Sequence, residues 1–321
     1  RVDVRRVLLP LLLVVALVGI APFPAQADTL DILIVGVDDA VEKNVERHIE
    51  RMAISTGADG RRQLPLIRRS ARNALEALGY YEADVRVTVD GDDDDADIQV
   101  QITPGEPVRW GDTAVKLDGA GASDPLFLTV LTRLSPTAGN PLNHDQYETL
   151  KKQLRLTAMN NGYFDADFRR QRLLVDRARH RADLDLEFDT GVRYRFGAVS
   201  FGPSRVKDKA LQRYVPFRPG EPYEESKMTE LNRNLLDSGY FQSVSLSPQR
   251  ASAPAGEDPV VPVQVDLQDN EHNRVSVGLG YGTDTGPRVR LSWLKPLINT
   301  RGHSLQLDAS LSEPKRETTA L

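Results

Sequence analysis

Apolar and polar positions along the chain form a pattern that occurs three times. Each copy has an amphipathic helical stretch, then a glycine followed by two aromatic residues, then a stretch in which apolar and polar residues alternate. The glycine-centred phrases are Leu78-Gly79-Tyr80-Tyr81, Asn161-Gly162-Tyr163-Phe164 and Ser238-Gly239-Tyr240-Phe241. Their glycines, at 79, 162 and 239, are 83 and 77 residues apart. Repetition at a nearly fixed period predicts a tandem array of one structural unit.

A glycine is expected to end a helix in each copy. Apolar residues fall near one face of the preceding helix: Leu150, Leu154 and Met159 in the second copy, and Met228, Leu231, Leu235 and Leu236 in the third. A glycine directly after such a helix suits the left-handed C′ position, where a side chain would be penalised. We therefore predict positive φ angles at Gly162 and Gly239, and strands that begin at the aromatic pairs.

Each copy is predicted to be a β-α-α-β-β unit of the α+β class. Two alternating stretches separated by a polar turn follow each phrase, and the second of them covers residues 98–102, 184–188 and 261–267. A first strand and helix come earlier, at 30–37 and about 39–54 in copy one, and at 194–201 and about 206–214 in copy three. A tight turn pairs strands antiparallel, whereas a helical crossover favours parallel pairing. The expected sheet is therefore three-stranded and mixed, with two helices on one face.

The joints between units are short, which predicts limited hinge freedom. The expected domains are residues 28–105, 106–191 and 192–269. The second helix of copies two and three is preceded by Gly139-Asn140-Pro141-Leu142 and Gly220-Glu221-Pro222-Tyr223. Asn143 is the expected N-cap in copy two. Copy one lacks this Gly-x-Pro start.

The tail, residues 270–321, changes character. Alternating residues of its first strand are apolar, namely Val275, Val277, Leu279 and Tyr281. Two further segments alternate in the same way, which predicts three strands. This pattern is typical of membrane-barrel strands, but a soluble antiparallel meander alternates equally. Periodicity alone does not separate the two.

The first 27 residues have the organisation of a secretory signal peptide. Arg5 and Arg6 precede an apolar run over residues 7–20, and Ala25-Gln26-Ala27 forms an A-x-A cleavage signal before Asp28. The run of 14 residues is too short for a membrane anchor, because a helix needs ~20 residues to cross the hydrocarbon core.

Composition and motifs exclude several kinds of chemistry. The net charge is −5 and there is no cysteine, so phosphate binding along nucleic acid and thiol chemistry are not expected. The five histidines have no ligand spacing, and Gly-x-Ser-x-Gly does not occur. The aspartates of residues 92–97 lack the Gly and Glu of an EF-hand, and the glycines at 278, 280 and 282 precede no helix. We expect no catalytic residue, cofactor or metal.

The repeat resembles the POTRA domain family. The resemblance covers residues 28–269 and rests on the β-α-α-β-β order, the three glycine–aromatic phrases and the Tyr-x-Phe-Gly that follows a closing strand. The tail phrases Gly280-Tyr281-Gly282-Thr283-Asp284 and Asn299-Thr300-Arg301-Gly302 resemble the start of the barrel in outer-membrane subunits of translocation and assembly modules, the TamA family.

The resemblance implies three tandem POTRA domains, then the first strands of a truncated transmembrane β-barrel in the bacterial outer membrane. It implies non-enzymatic insertion of outer-membrane proteins, including autotransporters. The gate edge would be the first barrel strand, with Val275, Val277, Leu279 and Tyr281. The implied partners are an inner-membrane-anchored, periplasm-spanning TamB-type subunit, unfolded outer-membrane protein clients and outer-membrane lipid, with no nucleic acid.

Four alternatives stay open. General barrel-assembly components and two-partner secretion translocators belong to the same superfamily and differ in their number of POTRA domains. A binding scaffold with a soluble tail would have no insertase role. A phospholipid-transport complex would differ in what the partner subunit carries.

The sequence predicts cleavage after Ala27, because the A-x-A signal directly follows the apolar run. The mature protein should begin at Asp28. N-terminal sequencing of the protein purified from outer membranes checks this, and retention of residues 1–27 would contradict it.

Overall fold

The computed structural model describes residues 32–51, 58–90, 97–250, 259–271, 273–282, 286–295, 298, 304–312 and 315–320. The expected cleavage residues Ala25, Ala27 and Asp28 lie outside these, as do five of the six positions of the aspartate-rich stretch at 92–97. The chain divides into two compact units, Arg1–Pro107 and Val108–Leu321. Among the described residues, no helix has both the length and the apolar character needed to cross a membrane.

The first compact unit contains one copy of the repeat in the predicted order. Its elements are β1 (Ile32–Val35), α1 (Asp39–Glu50), α2 (Ala58–Ala77), β2 (Asp84–Asp90) and β3 (Asp97–Thr103). β3 is central, with β1 parallel and β2 antiparallel to it. Ile98, Val100 and Ile102 alternate along β3 and are buried in one cluster with apolar residues of both helices. Helix α1 begins at the cap Asp38, whose carboxylate accepts hydrogen bonds from two backbone N–H groups.

The second compact unit contains two further copies. The middle copy has β4 (Arg109–Asp118), α3 (Pro125–Leu134), α4 (His144–Asn160), β5 (Asp167–Asp176) and β6 (Arg181–Asp189). The next has β7 (Arg195–Phe201), α5 (Asp208–Leu211), α6 (Glu225–Asp237), β8 (Phe241–Pro248) and β9 (Val260–Asp269). Their sheets have the orders β4-β6-β5 and β7-β9-β8. In each, the first strand is parallel and the other antiparallel to the central strand, which confirms the predicted mixed topology.

The tail is an antiparallel meander of four strands. These are β10 (Arg274–Gly282), β11 (Gly286–Lys295), β12 (Leu305–Ser312) and β13 (Lys315–Ala320). The sequence predicted three strands. β13 was missed because Lys-Arg-Glu-Thr-Thr-Ala at 315–320 has no apolar–polar alternation.

Alternation in the central strands fixes which face of each sheet lies under the helices. In β6 the side chains of Ala182, Leu184, Leu186 and Phe188 are all buried, and the residues between them are not. Burial of each large apolar side chain contributes ~1.5–3 kcal/mol. A slip of one residue would expose the whole set, so the alternation also fixes the register.

The helix faces are predicted correctly except at two positions. In α4 the buried residues include Leu150, Leu154 and Ala158, which are spaced by four, whereas Met159 is 54% exposed. Met159 is one residue past that stripe, and so lies about 100° further round the helix. Leu236 in α6 is 41% exposed for the same reason, since it follows the buried Leu235.

The aromatic pair begins a strand in only one of the three copies. β8 begins at Phe241, as predicted, but β5 begins at Asp167 and β2 at Asp84. In the middle copy the Tyr163 N–H bonds back to the Ala158 carbonyl. The aromatic pair there is part of the turn that closes the helix, so the strand starts later.

The glycines of the three phrases adopt the left-handed conformation. Gly79, Gly162 and Gly239 have φ of 89°, 83° and 71°, which confirms the prediction for the last two. Their surroundings differ. A side chain at Gly239 would meet nothing within 4 Å, whereas a Cβ at Gly162 would lie 2.8 Å from the Tyr223 Cβ and 3.0 Å from the Tyr194 carbonyl oxygen.

Gly162→Ala is expected to destabilise more than Gly239→Ala. At Gly239 only the backbone conformation is penalised, at about 1 kcal/mol. At Gly162 the same penalty is joined by overpacking, which typically adds ~1–3 kcal/mol. Hydrogen exchange of the affected segments in the two variants measures the difference. Equal loss of protection would mean that the packing around Gly162 contributes nothing.

Candidate functional site

The two aromatic residues in the glycine–aromatic phrase of the middle copy pack against two different sheets. The Tyr163 hydroxyl donates to Asp124 Oδ2 at 2.8 Å, and its ring meets Phe127 edge-on at 5.2 Å, so Tyr163 belongs to its own copy. Burial, and then the hydrogen bond to the Asp124 carboxylate, raise the pKa of Tyr163 to about 12. The hydroxyl therefore keeps its proton and remains a donor at neutral pH.

Phe164 packs on the following copy instead. Its ring centroid lies 5.2 Å from Tyr194 and 4.9 Å from Tyr223, both edge-on, and the Arg250 guanidinium lies 4.6 Å above it. Edge-on ring pairs and cation–π contacts each add to the hydrophobic contribution. Phe164 is thereby packed against the core of the third sheet.

Polar contacts close the same joint. Arg193 donates from Nε to the Asn161 carbonyl at 3.0 Å, and its Nη1 lies 3.6 Å from Asp124 Oδ2. The Tyr194 N–H donates to the Gly162 carbonyl at 2.8 Å. The second and third sheets are therefore joined by a packed contact and not only by the connecting chain.

The third phrase anchors the chain that leaves the third sheet. Tyr240 and Phe241 are buried in that sheet's core. The carbonyls of Gly239 and Tyr240 accept from the Asn270 side chain at 3.2 Å and from its backbone N–H at 2.7 Å. In the first copy, Gly79 is buried, while Tyr80 and Tyr81 are half-buried. The sequence located these phrases but not the contacts that they make.

The Gly-x-Pro segments occupy one edge of their sheets. In the middle copy the Trp110 N–H donates to the Asn140 carbonyl at 2.8 Å, and Leu142 N–H donates to Val108 at 2.8 Å. The matching bonds in the third copy run from Phe196 to Glu221 and from Tyr223 to Tyr194, at 2.8 and 3.0 Å. The start of β4 and the start of β7 are thus already paired on their outer side.

The opposite edge of the third sheet is open. β8 pairs with β9 on one side, and no described strand pairs with its other side. A groove of about 470 Å³ runs between α6 and β8. Its apolar lining is Met228, Leu236, Leu246 and Pro248, and Glu225, Arg233 and Asp237 add charge of both signs. An edge strand beside such a groove has the geometry to accept an extended peptide.

The tail sheet separates its side chains into an apolar and a polar face. Directly paired residues across β10, β11 and β12 are apolar in three rows: Val275–Trp293–Leu307, Val277–Leu291–Ala309 and Leu279–Val289–Leu311. The alternate rows contain Ser276–Ser292–Asp308 and Gly278–Arg290–Ser310. The Ser292 hydroxyl donates to Asp308 at 2.6 Å, so the polar face is hydrogen-bonded within itself.

The apolar face of the tail sheet is exposed, whereas the apolar faces of the other three sheets are buried. Val277 is 64% and Leu279 is 81% exposed. The outer edge of β10 also pairs with no described strand. The four gate residues predicted from the sequence therefore lie together on the exposed apolar face of an edge strand. Within the described part of the chain, no group of three or more acidic or histidine side chains is placed to hold a metal ion.

Comparisons with known families match the first and third copies. The model for POTRA domain 1 of TamA matches residues 31–104. The POTRA model described as surface antigen variable number repeat matches residues 194–277. The middle copy shares the topology of the two matched copies.

Curated relatives include two outer membrane protein assembly factors BamA. The protein of Buchnera aphidicola is 25% identical over 136 residues, which cover 42% of this chain and 21% of the relative. That of Neorickettsia risticii is 24% identical over 110 residues, which cover 34% of this chain and 14% of the relative. The matched regions span about a fifth or less of these relatives.

Solved structures with a similar backbone include BamA from Haemophilus ducreyi lacking POTRA domains 1–3. It has 17% identity and a TM-score of 0.49, over 64% of this chain and 37% of that one. BamA POTRA3–5 from Haemophilus influenzae has 15% identity and a TM-score of 0.40, over 76% and 96%. CdiB from Acinetobacter baumannii has 14% identity and a TM-score of 0.38, over 67% and 41%.

The residues that the two family models match correspond to two of the three β-α-α-β-β units of the structure. The matched copies are POTRA domains of the α+β class. Over these stretches the chain is therefore similar to POTRA domains and to outer membrane protein assembly factors.

Proposed function

We propose that the protein inserts other proteins into the outer membrane without catalysing a chemical reaction. The observation that carries the proposal is the two-faced sheet of β10–β12, which has an exposed apolar face and in which β10 is the edge strand among the strands that the structure describes. A soluble meander would bury its apolar face in a core. An apolar face that is 64–81% exposed at Val277 and Leu279 suits lipid instead.

The mechanism follows from backbone hydrogen bonding in lipid. A client strand that enters hydrocarbon with unpaired N–H and C=O groups loses several kcal/mol for each group. The free edge of β10 offers partners for those groups, so a client strand pairs as it leaves water. Gly278 and Gly280 have no side chain to obstruct the polar face beside this edge. β10 would thus be one side of a gate at which new strands are added.

The periplasmic domains are proposed to deliver the clients. The Gly-x-Pro segments pair with the start of β4 and of β7, which leaves the β8 edge and its groove open. An extended client segment would pair with β8 by β-augmentation, and its side chains would enter the groove beside Leu246. The clients are unfolded outer-membrane proteins, which have the alternating strands that such pairing requires.

More specifically, we infer that the protein is the outer-membrane subunit of a translocation and assembly module and has three POTRA domains. The match of residues 31–104 to the first POTRA domain of TamA supports this. The partner would then be a TamB-type subunit anchored in the inner membrane, and autotransporters would be among the clients. A general barrel-assembly factor is the second candidate, and the BamA relatives favour it.

Val277→Arg is expected to impair the full-length barrel much more than Ser276→Arg. Arginine on the lipid face at mid-membrane costs ~2–4 kcal/mol, whereas a lumen-facing position tolerates charge. The two residues are neighbours on β10, are both exposed, and belong to opposite faces. Heat-modifiability and protease resistance of the two variants in membranes are the measurements. Equal effects would mean that β10 is not a lipid-facing strand, and the insertion mechanism would lose its support.

A further inference from the structure

The last strand of the third sheet ends in a dense group of hydrogen bonds. Asp269, the final residue of β9, accepts from the Ser204 hydroxyl at 3.0 Å on one carboxylate oxygen. Its other oxygen accepts from the Arg205 backbone N–H at 3.1 Å and from Arg205 Nε at 2.9 Å. The Arg205 guanidinium also donates from Nη2 to the Asn270 carbonyl. The loop between β7 and α5 therefore binds the exit of the sheet.

Asn270 connects this group to the glycine–aromatic phrase and to the tail. On the domain side, its Nδ2 donates to the Gly239 carbonyl and its backbone N–H donates to the Tyr240 carbonyl. On the tail side, its Oδ1 accepts from the Glu271 N–H at 3.0 Å and from Arg274 Nη2 at 3.3 Å. Arg274 is the first residue of β10. One half-buried amide thus spans from the third POTRA domain to the gate strand.

A similar hydrogen bond to a glycine carbonyl is present at the joint between the second and third sheets. There the Tyr194 N–H donates to the carbonyl of Gly162, the glycine that corresponds to Gly239. In both places the chain leaving a domain bonds back to the glycine that ends its second helix. The difference is that the exit at Asn270 leads into β10 of the tail sheet rather than into another copy of the repeat.

We propose that Asn270, held by Arg205 and Asp269, is a positioning residue that fixes the direction of β10 relative to the third POTRA domain. A client segment held along β8 would then reach the β10 edge from a set direction. This role rests on the proposed insertion function, because only that function makes the β10 edge a site of strand pairing.

The proposal is tested by the distribution of distances between two spin labels in the full-length protein. The chain has no cysteine, so cysteines replacing the exposed Glu230 on α6 and Ser276 on β10 are labelled alone. Asn270→Ala removes the bonds to Gly239, Glu271 and Arg274. Since loss of each hydrogen bond changes an equilibrium by about fivefold, the fraction of molecules outside the main distance peak should rise at least about fivefold.

Asn234→Ala is the matched control. Asn234 is half-buried in the same domain, and its Nδ2 donates to a backbone carbonyl, that of Tyr214, at 3.1 Å. Its side chain bonds to Tyr214 and not to the exit or β10, so the main distance peak should stay narrow. Arg205→Lys is the second test variant. It keeps a cation beside Asp269 but loses the second guanidinium nitrogen, which bonds to Asn270. Its distance peak should broaden, as in Asn270→Ala.

The outcomes separate this proposal from the proposed function. Unchanged distances in Asn270→Ala and Arg205→Lys, or equal broadening in Asn234→Ala, would overturn the positioning role. Rates of client insertion into liposomes are measured on the same variants, and the rate should fall wherever the peak broadens. A broadened peak with a wild-type rate would also overturn it. Failure of the wild-type protein to insert any client would instead refute the proposed function, whatever the distances.

Discussion

Unpaired backbone groups at a sheet edge are the constraint on which the structure depends. Each three-stranded sheet has two edges, and each edge offers N–H and C=O groups that need partners. In the second and third copies, the Gly-x-Pro segments pair with the start of β4 and β7. The outer edges of β8 and β10 pair with no described strand, and the same holds for β1, β2, β5 and β13. The Gly-x-Pro segments thus cover two edges, while β8, which has a groove beside it, and β10 stay available for another strand.

The glycine–aromatic phrases act at the joints as well as in the cores. A left-handed glycine turns the chain after the helix, and at Gly162 and Gly239 the glycine carbonyl accepts a hydrogen bond from a residue of the segment that leaves the domain. At Gly162 the joint is filled by Phe164, Tyr194 and Tyr223. At Gly239 it is polar and is built around Asn270. One repeated sequence phrase therefore serves both as a helix terminator and as an anchor for the next element.

Features that depend on residues close together in the sequence could be predicted from the sequence alone. Alternation predicted all the alternating strands and the buried faces of the repeat, and the crossover rule predicted the parallel pairing of β1 with β3 and of β7 with β9. Met159 was misplaced because it lies one residue past the buried stripe of Leu150, Leu154 and Ala158. The roles of Phe164 and Asn270 were not predicted, because their partners are distant in sequence. Asn270 bonds to a carbonyl 31 residues earlier, and no local pattern marks such a contact.

The central claim is that client strands pair with the edge of β10. Because the chain contains no cysteine, single cysteines can be placed in turn along residues 275–281 of the full-length protein, opposite single cysteines in the terminal strand of a stalled client. Disulfide formation between the two chains is then measured for every pair of positions. The account predicts disulfides along one register, in which each step along β10 matches one step along the client strand. Disulfides scattered without register, or none along β10 while the client is inserted, would contradict it.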